Sequence, residues 1–324
     1  MITRGQLDGF CRPACCRFLG LIFAFACAAI TLASQDAPPL QRLSAHVNGH
    51  TFAIWARVPP APRCAILLLH GRTWSSLPDF DLQAPGPNRS VLRSLAAKGF
   101  AAYALDQRGY GETPRDKTGW ITPRQAAADA SGILDWVAAR HPALPRPALF
   151  GWSLGAATAH LAAATSPAKL SALILCGYAP DPGATIANIQ EPAKPPRAPN
   201  VREAAASDFI SPDATDPAVV KAFVETAMRT DPVHADWKNE EQFLCDSSKI
   251  TVPTLLLFGE RDPNVEGQDA IRFFDRLGTK EKQIISFPGA DHCVLLENTH
   301  GAWIVAIANF LNRLGVVGRM RANL

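Results

Sequence analysis

Between residues 64 and 287 the chain alternates short, continuous apolar runs with longer stretches of helical character. Ala65-Ile66-Leu67-Leu68-Leu69, Phe100 to Leu105, Pro147 to Phe150, Leu170 to Cys176 and Val252 to Phe258 lack the polar alternation of a half-exposed strand. Runs of this kind suit strands covered on both faces, the condition of a parallel sheet sandwiched between helices. A strand at 282–287 closes the series. Helices are expected near 89–98, ending at Gly99; from Pro123 through Ala139, with Thr122 as N-cap and the proline at the first helical position; over the alanine-rich stretch Ala156–Ala164; near 266–277; and from about 299 to 314. Residues 43–58 read as a hairpin turning at Asn48-Gly49. The pattern predicts an α/β fold, with a mostly parallel central sheet, helices on both faces and a ligand site beyond the carboxyl ends of the strands.

Residues 178–248 interrupt this alternation. Pro192, Pro195, Pro196 and Pro199 crowd a short span and predict an extended loop, after which Thr215-Asp216-Pro217 opens a helix. Val219, Val220, Phe223, Val224, Ala227 and Met228 form one apolar stripe along that helix. The stripe suits packing on the main domain, and it suits a lid over the site that lines a substrate pocket; the two are compatible. The expected organisation is one domain over 43–324 with a lid insertion at about 178–248.

At the N-terminus, Arg12 and Arg17 precede an uncharged run from Phe18 to Gln35, and Thr31-Leu32-Ala33 before Ser34 offers a small-residue cleavage site. Residues 1–33 therefore read as a signal peptide, implying export to the periplasm or the extracellular space. An uncleaved membrane anchor through 18–35 stays open, since that run can nearly span a bilayer. Lipid attachment at Cys27 is disfavoured by the preceding Ala24-Phe25-Ala26. Membrane contact is expected only if the segment is uncleaved.

The 324 residues are 48% hydrophobic and 19% charged, ordinary for a globular protein. The formal charge of +3 owes much to Arg4, Arg12 and Arg17, and the charge without that segment is about +1. No basic patch or helix is visible, so nucleic acid is not an expected partner. Cys64, Cys176, Cys245 and Cys293 lie in the body of the chain without a C-x-x-C pair, which speaks against zinc. Export would permit disulfides among them. There is no G-x-G-x-x-G fingerprint and no P-loop. Neither an organic cofactor nor a metal is expected.

The chemistry concentrates at Gly151-Trp152-Ser153-Leu154-Gly155, a G-x-S-x-G run between a strand and a helix. That context gives a strained turn that lifts a serine hydroxyl out of the backbone, with a helix N-terminus beside it. A serine needs a base, and the base needs an orienting acid. Gly259-Glu260-Arg261-Asp262-Pro263 follows one later strand, and Asp262 is the candidate acid with Glu260 as its rival. Pro288-Gly289-Ala290-Asp291-His292 follows the next strand, and His292 is the candidate base. Asp291 is a poor orienter, because adjacent side chains rarely face each other.

The order Ser153, Asp262, His292 resembles that of the α/β-hydrolase superfamily, as do His70-Gly71-Arg72 and Asp106-Gln107-Arg108-Gly109-Tyr110-Gly111 at two other strand ends. The resemblance covers about residues 43–315 and extends loosely to the lysophospholipase and monoacylglycerol-lipase branch of serine esterases. It implies an α/β-hydrolase fold and an oxyanion hole built from the backbone N–H groups of Arg72 and Leu154. It also implies that His70 fixes its loop and that Asp106 and Arg108 brace neighbouring loops. Trp74, Trp152, Phe223 and Val224 are the candidate substrate-contacting side chains. Relatives that cleave carbon–halogen bonds or epoxides carry aspartate at the elbow, and dienelactone hydrolases carry cysteine, so Ser153 points to acyl chemistry. The implied function is a serine hydrolase that cleaves carboxylic esters through an acyl-enzyme, acting on a small ester with an apolar acyl group. A C–C bond hydrolase or peptidase on the same scaffold, and a non-catalytic binding protein with this fold, are the alternatives.

Overall fold

The computed structural model describes residues 37–180 and 192–322. The N-terminal segment expected to be a signal peptide or anchor lies outside them, as does the stretch 181–191 of the expected lid. Strands β1 (Gln41–Val47) and β2 (His50–Arg57) form the hairpin, with Asn48 and Gly49 at φ 51° and 70° as a two-residue turn with both positions left-handed requires. There follow β3 (Cys64–Leu69), α1 (Ser76–Phe80), α2 (Val91–Ala97), β4 (Phe100–Leu105), β5 (Trp120–Ile121), α3 (Pro123–Arg140), β6 (Ala148–Trp152), α4 (Leu154–Thr165) and β7 (Ala172–Cys176). The remainder comprises α5 (Arg202–Ala206), α6 (Pro217–Thr230), β8 (Asp236–Trp237), β9 (Thr254–Gly259), α7 (Gly267–Arg276), β10 (Lys282–Phe287) and α8 (His300–Ala322).

Eight strands make one sheet in the order β1-β2-β4-β3-β6-β7-β9-β10. All neighbours from β4 to β10 run parallel, and only the hairpin and its junction with β4 are antiparallel. Side chains alternate between two apolar layers. Ile66 and Leu68 join Phe100, Phe150, Trp303 and Ile307 on the face covered by α2 and α8. Leu67 and Leu69 join Ile133, Leu134, Ala159 and Phe273 on the face covered by α3, α4 and α7. Each strand of the sheet's middle is thus covered on both faces, which explains its continuous apolar sequence.

Helix starts follow the sequence signals. Thr122 Oγ1 accepts the Gln125 N–H at 3.3 Å, and the Asp216 carboxylate accepts the Ala218 N–H at 2.8 Å. Differences lie in elements too short to carry a period. The five-residue α1 and α5 and the parallel pair β5–β8, two residues a strand, were not expected. The last helix runs to Ala322, beyond 314. The four body cysteines are free thiols. Among the described residues, no helix is long and apolar enough to cross a membrane.

The parallel topology delivers Ser153, Gly177, Asp262 and His292 to one edge of the sheet, at the ends of β6, β7, β9 and β10. At the same edge the first turn of α4 comes so close to β3 that a Cβ on Gly155 would lie 2.2 Å from the Leu69 carbonyl oxygen and 2.4 Å from that of His70. Both obstacles are backbone and cannot swing aside. Gly155→Ala should therefore destabilise the fold by about 3 kcal/mol or more, the upper end of overpacking costs, in urea unfolding followed by far-UV circular dichroism. A loss under about 1 kcal/mol would show that the elbow relaxes freely.

Candidate active site

Ser153 joins β6 to α4 at φ 54° and ψ −119°, a conformation that a residue with a side chain rarely adopts. Its N–H donates to the Cys176 carbonyl at 2.9 Å, and its own carbonyl accepts the N–H groups of Ala156 and Ala157 at 2.9 and 3.2 Å. The strained turn is thereby held on one side by β7 and on the other by the first turn of α4. Leu154 is the first residue of α4, where backbone N–H groups have no intrahelical partner.

His292 and Asp262 form the second element. Nδ1 of His292 lies 3.0 and 2.9 Å from the two carboxylate oxygens of Asp262, and both side chains are buried. The Asp262 loop is itself closed by hydrogen bonds from its N–H to the Gly259 carbonyl and from the Asn264 N–H to its carboxylate. Trp152 packs between Gly71 and His292: its ring centroid is 5.3 Å from that of the imidazole, and its Nε1 donates to the His292 carbonyl at 2.9 Å. Gly177, at φ 60°, follows β7 beneath this pair. A Cβ there would approach His292 Cε1 to 3.0 Å and Asp262 Oδ2 to 3.3 Å, so any larger residue would press on the imidazole–carboxylate contact. Glu260 is exposed and accepts the Gly289 N–H at 3.0 Å. The Asp291 carboxylate accepts N–H groups from Ser211 and Cys293.

Behind Ser153 lies the loop after β3. His70 is fully buried; its Nδ1 donates to the Gly71 carbonyl at 2.9 Å, and its Nε2 accepts the Gln107 N–H at 3.0 Å. Burial lowers its pKa to about 4, so it is neutral. A trans peptide points its N–H opposite to its C=O. By holding the Gly71 carbonyl, His70 therefore fixes the direction of the Arg72 N–H. The Arg72 carbonyl accepts from the Tyr110 hydroxyl, which in turn accepts from Trp237 Nε1 at 2.8 Å. The Arg72 guanidinium pairs with Glu240 of the insertion.

The four candidate substrate-contacting side chains are all buried. Phe223 and Val224 face inward from α6 into the core layer shared with α2 and α8. Trp74 meets Phe223 edge-on at 6.4 Å and donates from Nε1 to Asp208 at 2.7 Å. Packing of α6 on the main domain accounts for these contacts. Asp106 accepts from Trp55 Nε1 and from the N–H groups of Ser76 and Glu112, each at 3.0 Å, while Arg108 is paired with the buried Asp129. Burial raises the Asp106 pKa to about 6 despite those donors.

Sequence reasoning missed the acids of the insertion. Asp231 accepts the N–H groups of Ser75 and Gly111 at 2.9 and 2.8 Å, and Asp208 is pushed up to about 6 by burial. Their partners are more than a hundred residues away in the chain, beyond any local spacing signal. Among the described residues no group of three or more histidine, cysteine or acidic side chains is placed to hold a metal ion.

Comparison with known proteins places this geometry in a family. The family model described as serine aminopeptidase, S33, matches residues 60–299. A monoacylglycerol lipase of Mycolicibacterium smegmatis is 23% identical over 256 residues, 73% of this chain and 83% of that one. The solved monoacylglycerol lipase of Paleococcus ferrophilus superposes with a TM-score of 0.56 at 23% identity, over 85% of this chain and 99% of that one. A serine hydrolase involved in carbazole degradation superposes with a TM-score of 0.61 at 16% identity, again over 85% and 99%. The two superpositions are likenesses of fold.

The Tyr110 hydroxyl is the hinge of the Trp237–Tyr110–Arg72 relay. Tyr110→Phe would leave a buried indole N–H without its acceptor and should cost about 1–3 kcal/mol in urea unfolding. A neutral outcome would mean that the indole finds another partner.

Proposed function

Because the chain belongs to the serine aminopeptidase S33 family of α/β-hydrolases, we propose that it hydrolyses carboxylic esters through a serine acyl-enzyme. The observation that carries this reading is the buried hydrogen bond between His292 Nδ1 and Asp262 on the edge where Ser153 holds its strained φ of 54°. Asp262 keeps the imidazole proton on Nδ1, which leaves Nε2 as the basic nitrogen. His292 takes the Ser153 hydroxyl proton as Oγ adds to the ester carbonyl. The tetrahedral oxyanion is received by the N–H groups of Arg72 and Leu154, donors aimed by the His70 contact and by the start of α4. Collapse expels the alcohol, which receives the proton from His292. Water then repeats the sequence on the acyl-enzyme and releases the acid.

The substrate read from this site is a small lipid ester, such as a monoacylglycerol. Support comes from the relative that is a monoacylglycerol lipase. On this reading the insertion is a lid, tied to the strand ends through Asp231, Asp208 and Glu240. Peptide-bond and C–C bond cleavage are the competing chemistries on the same scaffold. A panel of monoacylglycerols, p-nitrophenyl esters and amino-acid p-nitroanilides separates them, and preference for an anilide would move the enzyme to the peptidases.

Ser153→Ala should lower ester turnover by about 10⁴ or more and abolish labelling by a fluorophosphonate probe while the fold persists. Asp262→Asn should cost about 10² to 10⁴ in kcat, whereas Glu260→Gln should stay within about threefold of wild type. The reverse ranking would transfer the acid's role to Glu260. Retention of a tenth of the activity, about 0.1 of wild type, in the serine variant would remove Ser153 from the mechanism.

A further inference from the structure

One buried pair near the base is unused by the mechanism above. Asp291, the residue before His292, is fully buried, and Glu297 is 1% exposed. The Asp291 N–H donates to both carboxylate oxygens of Glu297, at 3.0 and 3.3 Å, which sets the two buried carboxyl groups side by side. Neither takes part in an ion pair among the described residues. Arg261 is near enough to feel Asp291, but its guanidinium is turned to Asp213, at 2.8 and 2.9 Å. The remaining acceptor positions of Asp291 are filled by two backbone donors: Cys293, just past the base, and Ser211 of the insertion. The Glu297 carbonyl accepts the His300 N–H at 3.0 Å, at the start of α8.

Two carboxyl groups buried side by side with no cation paired to either repel each other when both are charged, so one holds a proton. We propose that Glu297 is a positioning residue for the base: as a carboxylic acid it donates to Asp291, accepts the Asp291 N–H in return, and so clamps the histidine loop between α8 and the insertion. The proposal rests on His292 being the base.

The surrounding groups agree on which partner keeps the proton. Burial opposes charge on Asp291, but the bonds from Glu297, Cys293 and Ser211 outweigh it and hold this carboxyl below the ordinary range. Burial first, and then the facing Asp291, push Glu297 up to about 9. Asp262 faces Glu297 from the loop after β9 and also disfavours its ionisation. Asp208, from the insertion, faces Asp291 and Cys293, and the buried thiols of Cys176 and Cys293 complete the surroundings. Ionised Glu297 would be a second buried anion repelling the residue next to the base, and the clamp would open.

Glutamine at 297 has the same shape, can donate to Asp291, can accept its N–H, and cannot ionise. An unfolded glutamate titrates near 4.3, so between about 4.3 and 9 the folded wild type holds a proton that the unfolded chain releases. Wild-type stability relative to Glu297→Gln therefore falls as pH rises through that window and is level above it.

The experiment measures kcat/KM on p-nitrophenyl butyrate and Tm for wild type, Glu297→Gln and Glu297→Ala across the neutral to alkaline range. Wild type should lose activity above about pH 9, while Glu297→Gln stays within about threefold of wild type at neutral pH and holds its rate beyond that point. Glu297→Ala should lose about tenfold in kcat, with a smaller change in KM. The Tm gap between Glu297→Gln and wild type should widen from about pH 5 to 9. Superimposable alkaline limbs for wild type and Glu297→Gln would overturn the positioning role, and a pH-independent Tm gap would overturn the shared proton. If Glu297→Ala does not fold, the glutamine comparison still decides. A wild type that cleaves no ester would instead overturn the esterase reading, and the Tm gap would still test the pair.

Discussion

The first turn of α4 rests on the carbonyl ends of β3, and that approach sets the geometry of the whole candidate active-site edge. A helix and a strand end can meet this closely only where no side chain intervenes, which is the part played by Gly155. The contact fixes how far Ser153 stands from the loop that begins at His70. It also forces the chain into the turn between β6 and α4, with Ser153 in a backbone region that costs on the order of 1–3 kcal/mol. Hydrogen bonds from β7 and from α4 hold that turn in place. The sheet supplies the rest: parallel neighbours in register bring Gly177, Asp262 and His292 to the same edge, and the Trp152 indole ties the elbow to the histidine loop.

Buried carboxyl groups organise what surrounds this edge. Asp106 gathers three donors, from β2, the start of α1 and the loop at Glu112; Asp231 fastens the insertion to the turns at Ser75 and Gly111; and Asp291 gathers N–H groups from Ser211 of the insertion and from Cys293 just after His292. Burying a carboxylate is costly unless several donors converge on it. Each of these acids therefore holds its loops more tightly than a neutral acceptor would, at the risk of losing them if a donor is removed. The upward shift of Asp106 and Asp208 to about 6 shows that the balance is close.

The fold was legible wherever one local rule governed a long enough segment. The apolar runs of β3, β4 and β7 announced strands covered on both faces, and Thr122 and Asp216 announced helix starts through their own backbone bonds. Ser153, Asp262 and His292 could be named as candidates because their order along the chain and their place after successive strands are sequence properties. What stayed hidden depends on distant partners. Nothing near Asp208 or Asp231 hints at Trp74 or Ser75, since those contacts exist only after the insertion folds back. Glu297 reads as an ordinary loop acid until its burial against Asp291 is seen. The pair β5–β8, two residues a strand, is too short to impose a period on either segment.

The single proton of His70 has a consequence for how the protein meets acid. That imidazole donates from Nδ1 and accepts at Nε2, and a second proton would set Nε2 donor-to-donor against the Gln107 N–H. Because burial holds this conflict off until about pH 4, the peptide carrying the Arg72 N–H keeps its direction through mild acidification. The direction of that one donor is thus insulated from the solvent's acidity by the depth at which the imidazole is buried, and it is given up only where His70 takes its second proton.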